Sequence, residues 1–182
     1  MENREVLFTK INTASSDDHK DMAELLCWMR EFSYSLPASN QPLWYHMTEE
    51  PLTPEALDTL KQSLDSPDTI ALTMRTSLGK IGAYALAEYR RDAAGELTGV
   101  VELINLMVLP WYQRLGIGSM LLSEVEARIG AGFTVEAGVY VCPRTAVPFY
   151  KRKGYSESRI VRWDDLDAEF VIMEKKLEGA AA

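Results

Sequence analysis

The sequence predicts an α/β (α+β) fold: a mixed, mostly antiparallel central sheet flanked by helices on both faces. Three observations carry this. Strand-like runs at 68–75, 81–90 and 99–109 are joined by short turns at Ser77-Leu78-Gly79-Lys80 and Asp92-Ala93-Ala94-Gly95, and links that short require antiparallel pairing. An apolar helix opening at Gly118 then separates the third run from a fourth at 133–141, so those two run parallel. Two amphipathic helices precede the strands and need a sheet face to cover.

Taken in order, residues 6–11 alternate enough for a short first strand. From Asp17, the residues Met22, Leu25, Leu26, Met29 and Phe32 recur at helical spacing, with Asp17 and Asp18 placed to cap the start and with Cys27 and Trp28 widening the apolar face. Residues 33–51 hold Pro37, Pro42 and the group Trp44-Tyr45-His46 without a sustained period, and read as a loop. Thr53-Pro54-Glu55 places a capping hydroxyl, a proline at the first helical position and an acid behind it; Leu57, Leu60 and Leu64 share one face, and Ser66-Pro67 ends the helix. After the strand at 133–141 come a short helix at 144–153 closed by Gly154 and a final antiparallel pair, 155–162 and 169–177, turning at 164–167. The last residues, 178–182, read as a frayed end.

With 182 residues, 47% of them hydrophobic, the chain is the size of one ordinary domain. It holds no apolar run of the roughly 18 residues needed to span a bilayer, and Met1 to Lys10 are charged where a signal peptide would be hydrophobic, so a soluble cytoplasmic protein is expected. Cys27 and Cys142 make no disulfide framework, and no His/Cys cluster has metal spacing, so no metal is expected. A formal charge of −8 argues against nucleic acid, which is bound by clustered Lys and Arg. It suits a cationic substrate, although acidity also serves plain solubility.

The most informative stretch runs from Val100 to Ile129. A buried strand ends at Pro110, a loop narrows into Gln113-Arg114-Leu115-Gly116-Ile117-Gly118, and a helix follows. A helix start leaves its first N–H groups unpaired and carries partial positive charge, while the two glycines let a ligand approach the main chain, so a diphosphate would suit it. The spacing is neither that of a P-loop nor that of a dinucleotide fingerprint, since Ser119-Met120-Leu121 follows Gly118.

Gln113 to Gly118 resembles the Gln/Arg-x-x-Gly-x-Gly/Ala signature of the GNAT superfamily, the acyl-CoA-dependent N-acyltransferases. Ala146-x-x-x-Tyr150-x-x-x-Gly154-Tyr155 is similar to that family's Ala-x-x-x-Tyr-x-x-x-Gly-Phe segment, and the likeness extends over residues 70–177. Cys142 followed by Val147-Pro148-Phe149-Tyr150 looks closest to the arylalkylamine N-acetyltransferases. The resemblance implies one N-acetyltransferase domain over 1–182, with 17–66 a helical acceptor-side region and 68–177 the acetyl-CoA-binding core. Acetyl-CoA would be the acyl donor.

The same resemblance implies roles for particular residues. Leu106, Met107 and Val108 would pair their main chain with the pantetheine arm and polarise the thioester carbonyl. Arg114, Leu115, Gly116, Ile117, Gly118 and Ser119, with Gln113 leading in, would cradle the diphosphate. Tyr150 would lie beside the sulfur, contact the cofactor and protonate the departing thiolate; taken alone, a Phe-Tyr pair on a short helix is core packing. Pro143 stands where the pattern usually has Asn, so one cofactor contact is missing or supplied by main chain.

The period-2 face of the third strand that contains Glu102 reads Val100, Glu102, Ile104, Leu106, Val108, one carboxylate among aliphatics. By itself Glu102 is either a charge that reaches solvent or an arginine, or a functional group. Counting back from Gln113 puts it where histone-type members of the family carry a catalytic glutamate and where arylalkylamine types carry a histidine; their second histidine is Ile104 here. An amine with a pKa of about 10.4 is protonated at neutral pH and must lose that proton before it attacks, and a carboxylate partly desolvated by aliphatic neighbours is the stronger base.

The expected activity is therefore acetyl transfer from acetyl-CoA to a primary amine, a small molecule by preference, by direct attack in a ternary complex. The alternatives are a protein or peptide N-acetyltransferase and a non-catalytic acyl-CoA-binding regulator. An acyl-cysteine on Cys142 is disfavoured because no histidine is placed to activate it. Trp44-Tyr45-His46 either stack on the acceptor or anchor their loop. Dimers are frequent in the family, and an exposed final strand would offer an edge for one.

Overall fold

A computed structural model of the protein describes residues 11–25, 53–141, 146–163 and 168–179. The strands are β1 (Ile11–Thr13), β2 (Thr69–Arg75), β3 (Ile81–Arg91), β4 (Leu97–Val108), β5 (Thr134–Tyr140), β6 (Ser156–Trp163) and β7 (Ala168–Lys176). The helices are α1, helical over 19–25 among the described residues, α2 (Pro54–Asp65), α3 (Ile117–Ile129) and α4 (Val147–Arg152). The described strands form one seven-stranded sheet in the order β1-β2-β3-β4-β5-β7-β6. Every pairing is antiparallel except β4 with β5, which the α3 crossover makes parallel.

Both faces of the sheet are covered. On one, Leu121, Leu122 and Val125 of α3 pack against Leu72, Ala85, Val101, Leu103, Val135 and Met173, with Val147 and Tyr150 of α4 joining them. Each such aliphatic side chain contributes about 1.5–3 kcal/mol on burial. On the other, Met22 and Leu25 of α1 bury against Ala71, Tyr84 and Leu86, and Leu60 and Leu64 of α2 lie against them partly buried. No helix of the described residues is long and apolar enough to cross a membrane.

Local chemistry sets most boundaries. Thr53 caps α2 by accepting from the Ala56 N–H at 3.2 Å, with Pro54 opening the helix. At α1 the cap falls on Ser15 rather than on Asp17: the Ser15 N–H donates to Asp18 Oδ2 at 2.8 Å across a 3-10 turn, and Asp18 also pairs with Arg75. The first strand pairs through Ile11–Thr13 and continues with Ala14 N–H to Ala71 O at 2.8 Å, whereas residues 6–10 of the expected strand lie outside the described residues. So do Leu26, Cys27, Trp28, Met29, Phe32, Trp44, Tyr45, His46, Cys142, Pro143 and the turn at 164–167.

Two expectations are corrected. The final strand is no edge: β7 inserts between β5 and β6, pairing Thr134–Tyr140 with Phe170–Lys176, so β6 takes the border. The single aliphatic face expected of β4 is broken as well. Its register against β3 steps from Leu86↔Asn105 to Ala87↔Leu103, which leaves Ile104 as an extra residue in a β-bulge. Alternation therefore inverts at Ile104. Val101 and Leu103 point to the α3 side below it and Leu106 and Val108 above it, while Glu102 faces the opposite side of the sheet.

Candidate active site

The sheet forks at its centre. β4 and β5 pair only from Val100↔Thr134 to Leu103↔Ala137. Beyond Leu103, β4 keeps its ladder with β3, through Leu106↔Ala85, Met107↔Tyr84 and Val108↔Ala83, but has no ladder on its β5 side. Leu106–Val108 thus form one wall of the fork, with no strand on their β5 side. Their side chains divide: Leu106 and Val108 rest on the α3 core and Met107 on the α1 core.

The loop that leaves this wall is braced from within. Leu109 N–H donates to Gly82 O at 3.0 Å, Pro110–Tyr112 form a 3-10 turn, and the Gln113 N–H closes it on Pro110 O at 3.2 Å. The Gln113 side chain donates from Nε2 to Val108 O at 3.0 Å. Gln113 therefore holds the loop to the end of β4. Next, Arg114 at φ +62° and Gly116 at φ +83° both turn left-handed, the latter as the N-cap of α3, which opens at Ile117, one residue earlier than expected. The first helical bond runs from Met120 N–H to Gly116 O at 3.0 Å. Among the described residues no acceptor takes the amides of Arg114, Leu115, Gly116, Ile117, Gly118 or Ser119. Alternating left-handed residues turn successive N–H groups into one concavity, and the helix N-terminus adds partial positive charge. The Arg114 side chain is exposed and has no ion-pair partner among the described residues.

Gly118 brings the helix close to this wall. A Cβ there would meet Val108 Cγ2 at 3.6 Å and Phe149 Cζ at 3.9 Å, ordinary contact distances. Phe149 leads to Tyr150, edge to face with centroids 5.1 Å apart, and Tyr150 to Tyr155 at 5.3 Å. Tyr155 donates to Glu126 Oε1 at 3.0 Å, and Lys175 binds the other oxygen of that carboxylate at 2.7 Å. Tyr150 is 7% exposed and its hydroxyl has no hydrogen-bond partner among the described residues. Burial pushes its phenol well above the usual range, so it stays protonated.

Glu102 lies on the other face of the sheet from Tyr150, one residue before the last β4–β5 pair. Its surroundings are charged rather than aliphatic, because the bulge has carried Leu106 and Val108 to the far side. Arg90 on β3 donates from one nitrogen, Nη2, to Glu102 Oε2 at 3.0 Å and to Glu136 Oε2 at 3.3 Å. Arg159 on β6 grips Glu136 with both Nη atoms, at 3.0 and 2.8 Å, and reaches Glu174 at 2.6 Å. The Glu136 side chain is 9% exposed and that of Glu102 38%. The hydrogen bonds from Arg159 hold the Glu136 carboxyl below its usual range, against the effect of burial, with Arg90 adding to the lowering.

Arg90, Glu136 and Arg159 escape a sequence reading because they meet only through cross-strand register. Glu88, Glu102, Glu136 and Glu174 occupy one row across β3, β4, β5 and β7. The available signal was a pair of charged residues at inward-alternating positions, Glu136 in Thr134–Tyr140 and Glu102 in β4. Among the described residues, no group of three or more His, Cys, Asp or Glu is arranged to hold a metal.

The family model described as an acetyltransferase (GNAT) domain matches residues 72–157, from β2 into β6. No curated protein matches the sequence significantly. Among solved structures, the chain is similar to the ribosomal-protein-S18-alanine N-acetyltransferase of Escherichia coli, with a TM-score of 0.65 at 17% identity over 94% of this chain and 96% of that one. It is similar to the PaiA N-acetyltransferase of Thermoplasma acidophilum in complex with coenzyme A, with a TM-score of 0.63 at 20% identity over 92% and 98%. A phosphinothricin acetyltransferase of Sinorhizobium meliloti in complex with acetyl-CoA gives a TM-score of 0.68 at 19% identity over 97% and 92%. At these identities the likeness is one of fold.

Proposed function

We propose that this chain, which carries a GNAT domain and is an acyl-CoA-dependent acetyltransferase, moves the acetyl group of acetyl-CoA to a primary amine by direct attack in a ternary complex. The observation that carries the reading is the run of open amides from Arg114 to Ser119, set beside the end of β4, which has no strand on its β5 side. Open N–H groups at a helix start, in a loop that turns left-handed at Arg114 and Gly116, suit a pyrophosphate. The β4 edge at Leu106–Val108 suits the amide-bearing pantetheine arm, which would join it as a strand does. Coenzyme A and acetyl-CoA in two of the similar structures support this donor.

In the reaction, the amine nitrogen forms a bond to the thioester carbonyl carbon, and the oxyanion is met by main-chain donors at the end of β4. Collapse breaks the C–S bond. Glu102 receives one proton of the incoming ammonium, directly or through water, before the attack, and the second nitrogen proton leaves to solvent as the intermediate collapses. The Tyr150 hydroxyl donates a hydrogen bond to the departing sulfur, which takes its proton from solvent. Because an ordinary thiol titrates near about 8.5, below a buried phenol, Tyr150 acts chiefly by hydrogen bonding to the developing thiolate.

The acceptor is read as a small amine that arrives as a cation and meets Glu102, whose Oε1 has no partner among the described residues, on the face opposite α3. A protein amine is the second reading, supported by the likeness to the S18-alanine enzyme. A panel of free amines and peptides, followed by thiol release from acetyl-CoA, separates the two. Glu102→Gln should lower turnover by about 10²-fold at neutral pH and by much less at high pH, where the acceptor is already neutral. Equal loss at every pH would remove Glu102 from the proton transfer.

A further inference from the structure

We infer that Arg90 is a positioning residue for Glu102, and that Glu136, clamped by Arg159, is the anchor that sets where Arg90 stands. The inference rests on the reading of Glu102 as the base and specifies what makes it usable. A carboxylate on a half-exposed strand position samples several rotamers, and each misplacement of the accepting oxygen slows proton transfer. Here one oxygen of Glu102, Oε2, is tied to Arg90 at 3.0 Å, and Oε1 has no partner among the described residues. One oxygen is fixed and the other is left to take the proton.

That one-point contact needs an explanation, because an arginine facing a lone carboxylate closes a two-point fork on it. Arg90 is prevented from doing so by Glu136, which takes the same Nη2 from the far side at 3.3 Å. Glu136 holds its place because Arg159 supplies it with a two-point fork of its own. Glu174 takes the remaining pull of Arg159, and Glu88, the direct neighbour of Glu102 on β3, is engaged by the Ser63 hydroxyl of α2. The charged groups around Glu102 thus form a chain from β6 to β3 in which each arginine is shared between two carboxylates. Glu136 itself makes a poor base, being nearly buried and held charged by two guanidinium groups.

The test is a kinetic cycle on the whole protein with acetyl-CoA and an accepted amine. Arg90→Gln should lower kcat about tenfold, because the base loses its orientation, while KM for acetyl-CoA stays within about twofold. Arg90→Lys, which keeps a charged donor but on a shorter side chain without the planar guanidinium, should recover part of that loss. In a Glu102→Gln background, Arg90→Gln should cost less than about twofold, since there is no base left to position. Arg159→Gln, at the sheet border, should lower kcat severalfold through release of Glu136 and serves if Arg90→Gln fails to fold. Independent multiplication of the Arg90 and Glu102 losses, or a rise in acetyl-CoA KM matching the fall in kcat, would overturn the positioning role while leaving Glu102 as base. Full activity in Glu102→Gln would overturn both.

Discussion

The two sides of the fork are built differently. The side proposed to hold the donor, from Leu106 through the open amides to Tyr150, lies within one stretch of chain, and its polar groups are mostly main chain. The side proposed to receive the acceptor, around Glu102, is assembled from side chains on β3, β4, β5, β6 and β7, whose charges meet only after the strands have found their register. Main-chain groups lock a ligand that must always be the same molecule. On the proposed reading, side chains on separate strands are free to change with the acceptor while the main-chain site stays as it is.

The largest effect expected on the donor side comes from Tyr150→Phe. It removes the unpartnered hydroxyl but keeps the ring contacts with Phe149 and Tyr155. Turnover should fall by about 10²-fold while calorimetry shows acetyl-CoA bound with near-normal affinity. Retained turnover would return Tyr150 to plain core packing.

A smaller effect should distinguish the two glycines of the loop. Gly116 sits at φ +83°, where a side chain is strained by about 1–2 kcal/mol, so Gly116→Val should weaken acetyl-CoA binding by roughly tenfold as the loop shifts its amides. Gly118 lies in helical conformation, and an added methyl meets Val108 and Phe149 at ordinary contact distance. Gly118→Ala should therefore fold normally and bind acetyl-CoA within about threefold. If Gly118→Ala proved the worse of the two, ligand approach at Gly118 rather than amide direction at Gly116 would govern the site.

This contrast also explains what the sequence made legible. Short turns, Thr53-Pro54 and the glycine loop are local signals, and they gave the meander, α2 and the donor-side loop close to their true bounds. The failures are non-local. Ile104 has no local mark of a bulge, since it is the β3 register that makes it the extra residue, and the bulge reverses which side chains share a face with Glu102. The last strand keeps its hairpin with β6 and pairs with β5 on its other edge, and no local feature of 155–177 says which of the two hairpin strands faces β5. Arg90 and Arg159 could not be assigned before those pairings were known.

The smallest effect tests the acceptor side through stability. Glu136→Gln removes a nearly buried charge from between two partly exposed arginines, and at neutral pH it should cost about 1–2 kcal/mol, read as a fall in Tm. The hydrogen bonds from Arg159 hold the Glu136 carboxyl below its ordinary value of 4.5, opposed by burial and assisted by Arg90. Unfolding restores that ordinary value, so as pH falls the unfolded chain takes up the proton first. The stabilisation is complete above pH 4.5 and is lost as pH drops through the lower folded value. The Tm difference between Glu136→Gln and the unaltered protein should accordingly narrow on acidification below pH 4.5. A difference that stayed constant into strong acid would mean that shape, not charge, holds Glu136 in place, and the chain of shared arginines would lose its anchor.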